Sequence, residues 1–365
     1  MAGLAQILKE SGHQVSGADI QFYPPMSKYI DDIGIKTIQG YKRETLPDAD
    51  LYVIGNALSR GNECVEEILD KNLPFISGPE ILGKELKGRN VFAISGTHGK
   101  TTTSYMLAHI FLDQGKDIGY LIGGISEGFE NSAKLGTDPI FVIEADEYDS
   151  AFFDKRSKFI HYSPSNLIIN NIEFDHADIF NDIEDIKRQF HHLIKIIPTS
   201  GNIIFFNNDV NTSEVLNRES WCKKIAIDSG DIEIDFESKS LKIDIDEFSL
   251  EELPLIGEHN FRNYVSAILA AQIEGVSINA SINSLKKFKG VKRRMDFIIE
   301  SSNICIYDDF AHHPTAIKLS CRAIKNKFPS KKIFSDFLIL ISLILNLQGM
   351  AQLHQAEHDQ KHLLY

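Results

Sequence analysis

Ser95-Gly96-Thr97-His98-Gly99-Lys100-Thr101-Thr102 stands between an apolar run, Val91 to Ser95, and a segment that carries Met106, Leu107, Ile110 and Phe111 at helical spacing. A strand that breaks into glycines and then starts a helix is the frame of a phosphate loop. Glycines let backbone N–H groups curl around phosphate oxygens, and the helix N-terminus adds a favourable partial charge. Lys100 then reaches the terminal phosphates, and Thr101 offers a hydroxyl to Mg²⁺. The strict G-x-x-x-x-G-K-[ST] spacing is not met, because Ile94 holds the place of its first glycine. A Gly-Lys-Thr alone reads equally well as a plain turn and helix cap; the strand-loop-helix context favours a nucleotide. Gly96, Thr97, His98, Gly99, Lys100, Thr101 and Thr102 are the candidate contacts.

Upstream, helical and strand patterns alternate. Leu4, Ile7 and Leu8 have helical spacing, a short apolar piece at Val15 leads to Asp19, and a helix carries Ile30 and Ile33. A strand at Leu51 to Ile54, a helix at Val65 to Leu69 and a strand at Pro74 to Ile76 follow. This alternation predicts a parallel sheet with crossover helices. Asp19, after Gly17 at a strand end, fits the acidic position that meets a ribose hydroxyl in a nucleotide-binding fold. Downstream, strands are expected at Ile140 to Ile143, Leu167 to Ile169 and Ile203 to Phe206, and short half-exposed ones between Ile225 and Phe248, where apolar and acidic residues alternate. A helix after Asn260 turns Val265, Ile268 and Leu269 inward. From about Ser301 a further unit begins, with a strand at Ile304 to Tyr307 and a helix after Pro314.

The 365 residues suit two or three domains. Their 43% hydrophobic and 24% charged content is ordinary for a soluble globular protein. A net charge of -13 argues against a surface built for nucleic acid or anionic membrane. Cys64, Cys222, Cys305 and Cys321 are far apart and form no Cys-x-x-Cys pair, which fits a reducing cytoplasm rather than a disulfide framework or a cysteine zinc site. Met1 to Gly12 does not read as a signal peptide. The apolar run Phe337 to Leu347 is shorter than the about 20 residues a bilayer span takes, and reads as a buried segment.

Further motifs follow the loop. Glu144-Ala145-Asp146-Glu147-Tyr148-Asp149 ends a strand, and Asn170-Asn171-Ile172-Glu173-Phe174-Asp175-His176 follows the next. Gly257-Glu258-His259-Asn260-Phe261-Arg262-Asn263, Lys292-Arg293-Arg294 and Tyr307-Asp308-Asp309-Phe310-Ala311-His312-His313-Pro314-Thr315 complete the set. Each has a plain reading: a solvated acidic loop, a structural histidine, an Asn helix cap, a solvated cationic face, a helix N-terminus. Asn260 as a cap would leave Asn263 unexplained.

In this combination the motifs resemble the Mur ligases of cell-wall metabolism, whose phosphate loop is the variant Gly-Thr-His-Gly-Lys-Thr-Thr. The resemblance implies an α/β protein with a Rossmann-like UDP-sugar-binding domain over 1–87, a central P-loop-type ATPase domain with a mostly parallel sheet over 88–300, and an incomplete α/β C-terminal domain over 301–365. It implies ATP and Mg²⁺ as cofactors, with Thr101, Glu144 and His176 as metal ligands, an arrangement sensible for an oxygen-seeking ion. It places His259, Asn260 and Asn263 at the adenine side, Arg294 on the ATP phosphates, and Asp309 and His312 beside Lys100 at the reaction centre. Asp19, Asn56, Ser59, Arg60, Arg156 and Lys158 are the implied substrate contacts.

Within the family, Tyr23-Pro24-Pro25-Met26-Ser27, Gly55 to Asn62 and the run Phe152-Phe153-Asp154-Lys155-Arg156-Ser157-Lys158-Phe159 are similar to the branch that joins UDP-N-acetylmuramate to L-alanyl-γ-D-glutamyl-meso-diaminopimelate in peptide recycling. That run, basic and aromatic, offers Arg156 or Lys158 to substrate carboxylates; its plain reading is a solvated edge. The branch that adds L-alanine to the same sugar acid is the alternative. Two other classes stand beside a ligase: a non-catalytic nucleotide-binding remnant, and a general P-loop ATPase that leaves the Asn260 and His312 motifs without a role. The resemblance covers about Ala2 to Phe334. The strand and Gly-rich turn expected before the first helix are absent, and Ile333 to Tyr365 departs from the family's continuation, so the expectation is a chain shortened at both ends with a frameshift-like tail. A cytoplasmic monomer acting on two small-molecule substrates is expected.

Overall fold

The computed structural model describes residues 1–24, 26–175, 179–300 and 304–333, and the backbone of 363–364. His176 and the run 337–347 lie outside the described residues.

The first unit runs α1 (Ala2–Glu10), β1 (Ser16–Asp19), α2 (Met26–Asp32), β2 (Lys36–Gln39), β3 (Tyr52–Ile54), α3 (Glu63–Asp70), β4 (Phe75–Ser77) and α4 (Gly78–Glu85). Strand β1 pairs with β2 and β3 with β4, both parallel, each across its own helix. The single sheet expected here is two separate pairs. Asn62 caps α3 by accepting from the N–H groups of Cys64 and Val65, and Ser77 caps α4 from Glu80, with Pro79 in the first turn where its missing N–H costs nothing.

The central unit is built on β5 (Asn90–Ser95), α5 (Lys100–Asp113), β6 (Gly119–Leu121), β7 (Ala133–Lys134), β8 (Ile140–Glu144), a hairpin of β9 (Asp149–Ala151) and β10 (Asp154–Ser157), β11 (Asn166–Ile169), α6 (Ile183–Lys195), β12 (Asn202–Phe206), α7 (Val210–Arg218) and β13 (Lys223–Ile227). Seven strands form one sheet in the order β13-β12-β11-β5-β8-β6-β7, parallel except for β7. The strands are apolar at consecutive positions because both faces are covered. Phe92, Ile94, Val142, Ile168 and Ile204 enter one core with residues of α5, and Val91, Ala93, Phe141, Ile143, Leu167 and Ile203 enter the other. The second core also takes Leu4, Ile7 and Leu8 of α1 and Leu82 of α4, so the first unit packs directly on the central sheet. The approach is close: a Cβ on Gly83 of α4 would stand 2.1 Å from the carbonyl oxygen of His161.

A three-stranded antiparallel sheet, β14 (Ile232–Asp235), β15 (Ser240–Ile243) and β16 (Asp246–Ser249), leads to α8 (Glu258–Ile273) and α9 (Ile278–Leu285), which share the first core with α5. A last unit pairs β17 (Asp296–Glu300) antiparallel with β18 (Cys305–Asp308) and adds α10 (Pro314–Lys327); Met295, Cys305, Tyr307, Ala323 and Ile324 form its small core. Among the described residues no helix is long and apolar enough to cross a membrane.

Candidate active site

Strand β5 delivers the loop and α5 begins at Lys100. Gly96 and Gly99 have φ of 128° and 82°, backbone that side chains resist. A Cβ on Gly99 would also stand 2.5 Å from Asn263 Oδ1 and 2.7 Å from Asn170 Nδ2, so glycine is required on steric grounds too. The loop is clamped to the segment after β11: His98 N–H donates to Asn171 Oδ1 at 2.8 Å, Thr97 N–H to the Asn171 carbonyl at 3.1 Å, and Thr97 Oγ1 accepts from Glu173 N–H at 2.8 Å. Thr102 and Thr103 are buried, and Thr103 Oγ1 accepts from Asn170.

Beside the loop, β8 ends at Glu144, whose register partner is Ile94. Thr101 Oγ1 donates to Glu144 Oε1 at 2.7 Å, and Gly123 N–H donates to Oε2 at 2.7 Å. Two of the three expected metal ligands therefore stand together, Thr101 in the first turn of α5 and Glu144 at the end of β8. Burial, reinforced by Asp146, raises the Glu144 pKa against the opposing Thr101 and Gly123 hydrogen bonds and the Lys100 charge. A buried carboxyl beside a second acid is a site that gains from a cation, and its oxygen donors suit Mg²⁺.

Lys100 Nζ donates to the Gly96 carbonyl at 2.8 Å and lies 3.5 Å from Glu147 and 3.7 Å from Asp146. Burial alone would discharge it; Glu147, Asp146 and Glu144 outweigh that effect and raise its pKa, so it is a cation at neutral pH. The acidic loop that holds it came into view in the sequence only as a candidate metal loop.

On the far side of Gly99, Asn260 and Asn263 are buried in the first turns of α8, capped by Gly257 and not by an asparagine. Asn260 Nδ2 donates to the Ile256 carbonyl at 2.8 Å, and Asn263 Nδ2 to Asn260 Oδ1 at 3.3 Å. His259 is held neutral, its pKa pushed by burial, with a smaller effect of His98, to about 4; His98 is lowered to about 4 by burial against the pull of Glu173.

In the last unit Asp309 is buried and accepts from Ser320 Oγ of α10; burial raises its pKa, opposed by that bond and by Arg294. Arg294 stacks over Phe310, 5.1 Å from its ring centre, on a backbone whose neighbours Arg293 and Met295 both have positive φ. Of the two adjacent histidines, His312 leans on Phe310, 3.1 Å from its carbonyl, while His313 turns to the loop, 3.7 Å from Glu173 Oε2. His313 is the N-cap of α10, its Nδ1 accepting the Thr315 N–H at 3.3 Å; its approach to Glu173 joins segments far apart in the chain and has no local signal in the sequence.

The substrate-side residues are spread more widely. Asp19 ends β1 and accepts from Ile20 N–H at 2.7 Å, and Asn56 and Ser59 lie in the turn after β3. Arg60 is exposed and forks onto Glu66 with two 2.9 Å bonds. Arg156, in the β9–β10 hairpin, forks in the same way onto Asp154 at 2.9 and 2.8 Å. Lys158 instead faces Asp146 at 3.7 Å with its Nζ 5.2 Å from the Tyr148 ring centre. The aromatic half of this run is a joint: Phe153 meets Phe75 edge-on at 4.9 Å, and Phe152 packs on the small core of Ile54, Val65 and Ile68.

Comparison with known proteins points to one family. Residues 94–271 match the Mur ligase middle domain and residues 1–90 the Mur ligase family catalytic domain. The chain is 45% identical over 338 residues to the UDP-N-acetylmuramate–L-alanyl-γ-D-glutamyl-meso-2,6-diaminoheptandioate ligase of Escherichia coli K12, covering 90% of this chain and 73% of that one. It is 34% identical over 349 residues to the UDP-N-acetylmuramate–L-alanine ligase of Clostridium botulinum strain Langeland, covering 92% and 74%. Its fold superposes with a TM-score of 0.76, at 40% identity, on the crystal structure of the UDP-N-acetylmuramate:L-alanyl-γ-D-glutamyl-meso-diaminopimelate ligase of Neisseria meningitidis, covering 80% of this chain and 96% of that one.

Proposed function

The chain belongs to the Mur ligase family, and on that premise we propose that it uses ATP to join the lactyl carboxylate of UDP-N-acetylmuramate to the free amine of L-alanyl-γ-D-glutamyl-meso-diaminopimelate, in cell-wall peptide recycling. The observation that carries the reading is the grouping of Lys100 and Thr101, at the start of α5, with Glu144 at the end of β8: a phosphate loop with an oxygen-donor pair beside it. The greater identity to the tripeptide ligase than to the L-alanine ligase favours the tripeptide as acceptor.

In this reading residues 96–102 wrap the phosphates of ATP, with the N–H groups of Gly99 to Thr102 at the helix start as donors while those of Thr97 and His98 stay on Asn171. Lys100 leaves the Gly96 carbonyl for the terminal phosphate, bringing a charge that the three acids keep in place. Thr101 and Glu144, with His176, would hold Mg²⁺, which when bound supplies charge neutralisation across the phosphate oxygens. The lactyl carboxylate oxygen attacks the γ-phosphorus and ADP departs, leaving an acyl phosphate. The amine then attacks the acyl carbon, and phosphate leaves as the amide forms. No covalent enzyme nucleophile takes part, so the protein's work is positioning and charge. Asn263 and Asn260 support the loop from the adenine side with His259, Arg294 faces the phosphates, and Asp309 fixes the entrance to the last unit with His312 beside it. Asp19, Asn56, Ser59 and Arg60 line the sugar-nucleotide side. Lys158, whose partners are a longer-range acid and a ring face, is better placed than the forked Arg156 to receive a tripeptide carboxylate.

The test is to incubate the purified chain with Mg-ATP and UDP-N-acetylmuramate plus either tripeptide or L-alanine, and to weigh the products. The tripeptide adduct is expected. An L-alanine adduct alone would select the other branch, ATP hydrolysis indifferent to both acceptors would mark a general ATPase, and nucleotide binding without turnover a non-catalytic protein.

A further inference from the structure

Three stretches far apart in sequence bring a second set of metal-ligating atoms together: His98 in the phosphate loop, Glu173 after β11 and His313 at the start of α10. One ligand atom from each lies within 4.8 Å of the others. His98 Nε2 and His313 Nδ1 are each 3.7 Å from Glu173 Oε2, and the two imidazole centres are 4.6 Å apart. Those contacts are too long to be hydrogen bonds. They are close to the about 3.4 Å that separates two ligand atoms of a tetrahedral zinc ion with bonds of about 2.1 Å. His98 Nε2 is buried and has no hydrogen-bond partner.

The surroundings orient the donors. His313 Nε2 lies 3.2 Å from the Phe174 carbonyl, which fixes the proton there and leaves Nδ1 as the acceptor, 3.7 Å from Glu173 Oε2; its present donor is the Thr315 N–H at 3.3 Å, a cap contact that a bound ion would replace. Thr315 Oγ1 donates to Glu173 Oε2 at 2.6 Å, and Thr97 holds the Glu173 backbone by both its N–H and its carbonyl. An imidazole that gives its other N–H to a carbonyl, and a carboxylate held by a hydroxyl, are the usual outer partners of metal ligands.

We propose that His98, Glu173 and His313 form a binding site for one borderline divalent ion of the zinc class, with a fourth position open to water or a phosphate oxygen. Two imidazoles and one carboxylate prefer such an ion to Mg²⁺, which takes oxygen. None of these ligands belongs to the Thr101–Glu144 pair, so the site is additional to it. Its occupation ties the phosphate loop to the first turn of α10 and fixes the last unit against the nucleotide site.

The full chain, stripped of metal with a chelator, is titrated with Co²⁺, read by its visible ligand-field bands, and then with Zn²⁺ in competition. One Co²⁺ with tetrahedral-type bands, displaced by Zn²⁺, is expected. His98→Ala, Glu173→Gln and His313→Asn should each weaken it by about tenfold or more, while Glu144→Gln leaves the bands in place. His313→Asn keeps an acceptor at the helix cap, so a loss there with an unchanged circular dichroism spectrum belongs to the ligand and not to the fold. Absence of tetrahedral bands, bands unmoved by His98→Ala and His313→Asn, or bands abolished by Glu144→Gln would overturn the proposal.

Discussion

Strands β5 and β11 of the central sheet are buried almost along their length, whereas β1 and β2 of the first unit are exposed at most positions, although both regions follow the same strand-helix alternation. The charges follow the same division. Around the phosphate loop Lys100, Glu144, Asp146 and Glu147 sit together in partly or fully buried surroundings, and the pKa values of Lys100 and Glu144 are raised there. On the first unit Arg60 closes on Glu66 in solvent. The difference separates a site whose electrostatics are built into the fold from a surface whose charges are already satisfied and which a substrate must reorganise.

The largest effect expected from that contrast is at Glu144. Glu144→Ala should lower ligation by about 10²–10³-fold with little change in the melting temperature of the metal-free protein, because burial already disfavours its charge. Steady-state kinetics beside thermal melts check this, and a large fall in melting temperature would make the residue structural. Next comes packing: Phe92→Ala, at a fully buried position, should cost about 3–5 kcal/mol, against less than about 1 kcal/mol for Ile38→Ala in β2, both read by urea unfolding. Equal losses would erase the distinction between the two sheets.

A smaller effect is expected with pH. His98 and His259 are held neutral down to about 4 against an ordinary 6.5. The unfolded chain takes up those protons first, so stability is complete above about pH 6.5 and falls as pH drops toward 4. Melting temperatures across that window should decline, and His259→Gln should flatten the decline; an unchanged slope would mean that another group carries it. The smallest effect is at the surface: Arg60→Ala should change KM for UDP-N-acetylmuramate by less than about fivefold, and a larger rise would show that the Glu66 fork opens to hold substrate.

How much of this was legible in the sequence depended on whether the signal was local. The phosphate loop, with Thr101, could be read because strand, glycines, Lys100 and helix are contiguous, and Glu144 because it ends an apolar run that had to be a buried strand. Helix α6 carries a local signal of the same kind outside those motifs, with Ile186, Phe190, Leu193 and Ile194 at helical spacing after the Asp182 cap. The turn of His313 toward Glu173 and the closure of Arg156 on Asp154 were not legible for another reason. A helix cap decides which imidazole turns inward, and Asp154 two residues away closes the Arg156 fork; neither is a matter of residue type alone.

The central claim is that Lys100, held as a cation by three acids, is the group the loop offers to the phosphates of ATP. Calorimetry of Mg-ATP binding to the chain and to Lys100→Ala tests it most directly. The account predicts a loss of affinity of about 100-fold or more, the value of a buried charge-assisted contact; equal affinity in the two proteins would contradict it.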